Sequence, residues 1–231
     1  MYLLLVIHVI KIKYKSISLK YMQFLGKLKI KSHKKIAKFL NEEHVGRIAT
    51  IDKNGFPQII PMNFVFTNNS IYMHSHVIGE KLTNMKHNTK VGFEVDRELE
   101  YLPSYFEDEY DASFADTLYI SVVIKGNSYI IDTKNEKAFA LNSLMSKYQP
   151  EGRYQTIKQN MRILDAVKII KIDPIVITGK YKIGQHLSIP ERYKLAQKIL
   201  NKNSSTVATT LKIMGFETID NKIKMINDPI W

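Results

Sequence analysis

Apolar and polar positions alternate with a period of two in several short stretches of the chain, the pattern of a strand with one buried face. VGRIATI (45–51), PQIIPMNFVF (57–66), SIYMHS (70–75), VGFEVDR (91–97) and LYISVVIKGNSYII (118–131) read this way, as do AVKIIKID (166–173) and IVITGKYKI (175–183) on either side of Pro174. Asp52-Lys53-Asn54-Gly55 is a hairpin turn in which Asn-Gly supplies positive φ angles. Pro57 and Pro61 cannot donate to a ladder, which places their strand at an edge or makes it irregular, and Gly126 marks a bulge or bend. A helical period appears in HKKIAKFLNEE, where Ile36, Phe39 and Leu40 share a face behind Ser32 as N-cap. Helices are also expected over 80–88, over 133–148 with Ala138, Leu141, Leu144 and Met145 on one face, over 190–201 after Ser188-Ile189-Pro190-Glu191, and near 204–214. Six or seven short strands with helices at the crossovers and the end predict a mainly β protein, a small barrel with peripheral helices.

Composition adds little to this, and charge adds a position. The 231 residues are 45% hydrophobic and 24% charged, so a core is expected. There is no cysteine, which removes disulfides and thiolate metal sites from consideration. The net charge of +12 points toward nucleic acid, yet residues 1–40 hold ten lysines and no acid, and the chain from Asn41 onward is nearly balanced. The basicity belongs to an N-terminal arm, which reads as a solvated extension, so nucleic acid is not the expected partner. The apolar start MYLLLVIHVI is too short for a bilayer, which takes about 20 residues. Its lysines follow the apolar run instead of preceding it, unlike a signal peptide, and Met22 is a possible initiator. A cytoplasmic protein with no membrane contact is the expectation.

Residues 98–116 break the strand rhythm with seven acids, no base, and five aromatic residues. They read as an insertion that covers something or stands apart as a loop.

The candidate chemistry sits in MHSHVIGEKL (73–82). Along a strand, His74 and His76 share a face and Ser75 takes the other. A His-x-His pair suits a metal, but a catalytic site needs a third ligand, and His87 or His186 would have to arrive by folding alone; no metal is expected. The alternative is an anion site. A helix N-terminus after Gly79 offers N–H groups, Lys81 a full charge, and His74 and Ser75 further donors, a set suited to a phosphate monoester. The same residues could also be ordinary surface positions on a turn and a helix.

The order RIATID, KNG-P, PMNF, IYMHS, GEKL, VGFEV resembles the FMN-binding split-barrel superfamily, which includes pyridoxamine 5′-phosphate oxidase-like and nitroimidazole-resistance-type proteins. YISVVIKGNSYIIDTKNEKAFALNSLMSKYQPEG and VKIIKIDPIVITGKYKIGQ are similar to its second half and closing strands. The resemblance implies a six-stranded Greek-key split β-barrel over 32–186, flanked by a basic extension (1–31) and a helical C-terminal extension (187–231). It implies a homodimer with FMN at the subunit interface. By position, Met62, Asn63 and Phe64 would lie along the flavin, and His74, Ser75 and Lys81 would hold its phosphate, with Arg47, Thr50 and Ser121 as further contacts. Ile120 stands where relatives often carry an arginine.

The implied activity is flavin-dependent oxidation or reduction of a small molecule, with no residue assigned as catalytic. No Gly-rich dinucleotide fingerprint is present, so NAD(P)H would bind transiently. The arginine-rich C-terminal motif of true pyridoxamine 5′-phosphate oxidases is missing, since no arginine follows Arg192. Two alternatives remain: a flavin-binding sensor or transcriptional regulator, which KYKIGQ (180–185) also resembles, and a barrel holding haem or a deazaflavin, with His186 or His76 on the iron.

Overall fold

The computed structural model describes residues 26–220 and 222–229, so the expectations for the apolar start and most of the basic arm lie outside it. The chain forms two compact units. A major unit comprises Lys31–Arg97 and Ser121–Gly179, and a minor unit takes residues 26–30, Glu98–Ile120 and the chain from Lys180 to residue 229. Among the described residues no helix is long and apolar enough to cross a membrane.

After the short strand β1 (Lys29–Ile30), the major unit opens with helix α1 (His33–Glu42). Ser32 caps it by accepting from the Lys35 amide at 3.3 Å, and Ile36, Phe39 and Leu40 are buried, as their spacing predicts. Strand β2 (Val45–Ile51) pairs antiparallel with β3 (Pro57–Asn63), Arg47 opposite Pro61 and Ile51 opposite Pro57. β3 lies at the end of the strand order, where its prolines leave no inner ladder bond unmade. The turn between them departs from the sequence expectation: only Gly55 has positive φ, and the Asp52 carboxylate accepts from the amides of Asn54 and Phe56, both at 2.8 Å. The Asn-Asn turn that joins β4 (Val65–Thr67) to β5 (Ser70–Ser75) is the one with two left-handed residues, Asn68 at φ 50° and Asn69 at φ 57°.

Helix α2 (Glu80–His87) and strand β6 (Lys90–Leu102) follow, then two 3₁₀ turns at Ser104–Phe106 and Ala112–Phe114, then β7 (Asp116–Ile131), α3 (Lys134–Tyr148) and β8 (Lys168–Lys182). The eight-stranded sheet contains the order β3-β2-β6-β7-β8-β5-β4. The architecture is mainly antiparallel β with peripheral helices. Val65, Tyr72, Ala140, Leu144 and Ile169 form one buried cluster in which α3 packs on β4, β5 and β8.

Two strands expected around Pro174 are a single strand, β8. The β5 ladder ends at Ile71 opposite Ile172, so Pro174 falls just past the paired stretch and its missing N–H breaks nothing there. Gly126 on β7 serves close approach: a Cβ there would stand 2.6 Å from the Asp173 carbonyl oxygen.

In the minor unit, β6 continues to Leu102 beyond the strand read from sequence, so within the acidic stretch 98–116 non-strand structure is confined to 103–115. Leu99 and Leu102 are buried, and so is Glu100 at 3% exposure. Its carboxylate accepts from Lys202 Nζ, Ser204 Oγ and Thr206 Oγ1, each at 2.6 Å. Burial pushes Glu100 up, but these donors together outweigh it and hold the carboxyl below its ordinary range. Helix α4 (Ile189–Lys202) begins with a reciprocal Ser188–Glu191 capping box, and α5 (Val207–Ile213) leads to a hairpin of β9 (Phe216–Ile219) and β10 (Lys222–Met225) that the sequence reading did not foresee. The Tyr193 ring meets Phe216 edge to face at 5.0 Å, and its hydroxyl accepts from the Met225 amide at 3.1 Å, tying α4 to the hairpin.

Candidate functional site

Two side-chain bonds fix helix α2 in the major unit. Asn84 Nδ2 donates to Thr50 Oγ1 at 3.1 Å, both groups buried, and Gln58 Nε2 donates to Glu80 at 2.5 Å. They pin the helix against β2 and β3 and so set where its first turn points. Gly79 precedes that turn at φ +151°, a backbone angle that favours glycine, and a Cβ on it would lie 3.5 Å from Lys81 Nζ. The ammonium is therefore folded over the start of the helix. Among the described residues Lys81 makes no ion pair, although fourteen ion pairs occur elsewhere.

Lys81 opens on a cavity of about 440 Å³ shared with Val45 at the start of β2, Met62 and Asn63 at the end of β3, and His74, Ser75 and His76 at the end of β5. Five of the nine sequence-predicted residues thus line one space: Met62, Asn63, His74, Ser75 and Lys81. Ser75 is 4% exposed and donates to the His76 carbonyl oxygen at 3.0 Å, while His76 Nδ1 accepts from the Ile78 amide at 3.3 Å. His74 is exposed.

The other four stand outside that lining. Arg47 donates to Glu94 at 3.0 Å and pairs closely with Asp96, and these carboxylates hold its guanidinium above its ordinary range. Thr50 is committed to Asn84. Ser121 begins the major unit's part of β7. Phe64 is fully buried in the core, with its ring edge to face with Phe93 at 5.1 Å.

Sequence reading missed the group that shapes this wall. Lys147 and Tyr148, the last two residues of α3, grip the break between β3 and β4. Lys147 Nζ donates to the carbonyl oxygens of Leu40 at 2.9 Å and Phe64 at 3.0 Å, and lies 3.8 Å from the centre of the Phe64 ring. Tyr148 Oη accepts from the Phe64 amide at 2.9 Å and contacts the carbonyl oxygens of Phe64 and His44. Both backbone groups of Phe64 are thereby held, which fixes the chain direction immediately after Met62 and Asn63. Burial pulls the Lys147 ammonium down to about 8.

The donor set fits a phosphate monoester: an unpaired ammonium, an exposed imidazole, and a helix N-terminus entered through glycine. It does not assemble a metal centre, as no cluster of three or more His, Asp or Glu side chains among the described residues is placed to hold one.

The family model for pyridoxamine 5′-phosphate oxidase matches residues 32–181. The chain belongs to this family. No curated protein matches the chain significantly. Among solved structures, the fold is similar to that of a candidate 5-nitroimidazole antibiotic resistance protein of Bacteroides thetaiotaomicron, at 21% identity and TM-score 0.56 over 66% of this chain and 86% of that one. A flavocytochrome of Azotobacter vinelandii is similar at 15% identity and TM-score 0.57, covering 67% and 69%. An FAD and haem binding protein of Mycobacterium smegmatis is similar at 16% identity and TM-score 0.56, covering 67% and 73%. At these identities the solved structures show a shared fold.

Proposed function

We propose that this member of the pyridoxamine 5′-phosphate oxidase family binds FMN through its phosphate in the Lys81 cavity, and that the homodimer acts as an oxidoreductase on a small molecule. The observation that carries the reading is Lys81 itself, an ammonium with no carboxylate partner among the described residues, set at a helix N-terminus on a cavity it shares with His74 and Ser75. Two of the similar solved structures are named as a flavocytochrome and as an FAD and haem binding protein, which supports a flavin as the ligand class. A terminal phosphate favours FMN over FAD, because one ammonium and one short helix suit a dianion better than an internal diphosphate.

Bound flavin would supply the redox chemistry. The chain's own residues would bind and orient it: Lys81, His74 and the first turn of α2 would hold the phosphate, and Met62 and Asn63, on a strand end fixed by Lys147 and Tyr148, would face the ring. A nicotinamide electron donor would bind only transiently, as the chain carries no Gly-rich dinucleotide fingerprint.

The test is a visible absorption spectrum of the purified protein followed by titration with FMN. Flavin bands, one FMN per chain, and a roughly 10- to 100-fold weaker Kd in Lys81→Ala are expected, in line with a charge-assisted hydrogen bond of about 1.5–3 kcal/mol. A colourless protein that takes up no FMN overturns the reading. Release of FAD or a Soret band would replace the ligand.

A further inference from the structure

The minor unit contains a cavity of its own, of about 370 Å³, at the small end of the roughly 300–1,000 Å³ range of ligand pockets. Its walls come from β6, the segment 103–115, β7, the turn after β8, and α4. Leu102, Leu118, Leu187 and Leu195 supply an aliphatic floor, and Phe106 and Phe114 supply aromatic sides. Leu118 is 2% exposed, whereas Phe114 is 50% exposed, so the space runs from a dry base to an open aromatic lip.

The charges on these walls are already matched within the unit. Glu107 accepts from Lys198 at 2.8 Å and Lys194 at 3.2 Å. Asp116 pairs closely with Lys182. Glu191 is occupied by the backbone amide of Ser188 at 2.8 Å and its hydroxyl at 2.7 Å. Burial, reinforced by Lys182, pushes the His186 imidazole down, which leaves it neutral at pH 7. An anion entering here would face carboxylates, and a cation would have to displace lysines from them. Either would disturb the half-exposed pairs that the wall has already made, whereas an uncharged molecule disturbs none.

We infer that this cavity is a second ligand site, specific for a small, uncharged aromatic molecule. The two phenylalanines stack or meet its edge, the leucines cover its inner end, and the paired charges exclude charged analogues. The inference is independent of FMN binding, because no residue of the Lys81 cavity lines this one.

The experiment is calorimetric titration of the full chain with 2-naphthol, 2-naphthoate and 2-naphthylmethylamine at pH 7.5. One saturable site per chain is expected for 2-naphthol, with Kd on the order of 10–300 µM for a ligand of this size. The anion and the cation should bind at least about 10-fold more weakly. Leu195→Trp, which fills the space, should remove binding. Because a tryptophan there could also disturb folding, Phe114→Ser at the exposed lip serves as a second variant and should weaken 2-naphthol about 3- to 10-fold with an unchanged thermal midpoint. Lys81→Ala should leave the affinity unaltered. No saturable heat with 2-naphthol, equal affinity for the charged analogues, indifference to Phe114→Ser, or loss of binding in Lys81→Ala would each overturn the inference.

Discussion

The two cavities are of similar size and belong to one chain, yet they treat charge in opposite ways. In the major unit the wall carries an ammonium and an exposed imidazole with no carboxylate set against Lys81. In the minor unit every carboxylate on the wall is matched by a lysine, an amide or a hydroxyl, and the imidazole is neutral. An unmatched charge on a wall is a request for a counter-charge, and a fully matched wall is a refusal of one. Pairing, more than volume or apolar content, separates the two proposed ligand classes.

The sharpest break of this comparison would come from Glu100, which stabilises the minor unit and lines neither cavity. Glu100→Gln leaves Lys202 facing a neutral amide and should cost about 3 kcal/mol, read as a lower denaturant midpoint. FMN uptake at saturating ligand should survive it. The folded-state carboxyl lies below its unfolded value, so its contribution is complete above the unfolded pKa and disappears as pH falls through the folded one. Wild type should therefore lose stability more steeply than Glu100→Gln on acidification below about pH 5.

Lys81→Met ranks next. It should weaken FMN by about 1.5–3 kcal/mol while shifting stability by less than about 0.5 kcal/mol, since Lys81 makes no ion pair among the described residues. Unchanged FMN affinity would remove the difference between the cavities.

Tyr148→Phe deletes one hydroxyl that serves three backbone groups, and should cost about 1 kcal/mol of stability and a few-fold in FMN affinity, measured by chemical denaturation and flavin fluorescence. Its neighbour gives a pH signature. Lys147 titrates near 8 when folded and near 10.4 when unfolded, so the unfolded chain binds more protons between these values and stability gains with rising pH there. Lys147→Met should lack this gain, seen as a flatter thermal midpoint from pH 7.5 to 9.5.

The smallest effect is expected from Asp116→Asn. It frees Lys182 at the minor cavity and should improve binding of 2-naphthoate about 2- to 3-fold, less at high salt.

What could be read from sequence was local. The alternation of VGRIATI, the Ser32 cap and the Gly79 helix entry all act within a few positions, and each fell where expected. The five residues on the Lys81 cavity were legible because two strand ends and one helix start carry them. Lys147, Tyr148 and Glu100 were not, because their partners lie 83 to 107 positions away and nothing near them in the chain marks the pairing. Glu100 also misled directly: its charge made the end of β6 look like part of an acidic loop, although Leu99 and Leu102 continue the buried face. The β9–β10 hairpin escaped because four-residue strands with exposed faces give almost no periodic signal.

The grip of Lys147 and Tyr148 on Phe64 also has a consequence in time. During synthesis, Met62 and Asn63 leave the ribosome more than eighty residues before the side chains that fix their strand end. A nascent chain that stops anywhere before Lys147 can make the β2–β3 hairpin but cannot set the wall beyond it. Closing so long a loop comes late and is entropically demanding, so the Lys81 cavity acquires its shape only when α3 has docked. Until then a flavin bound as proposed would have no finished surface to select, and its loading would follow the completion of the fold.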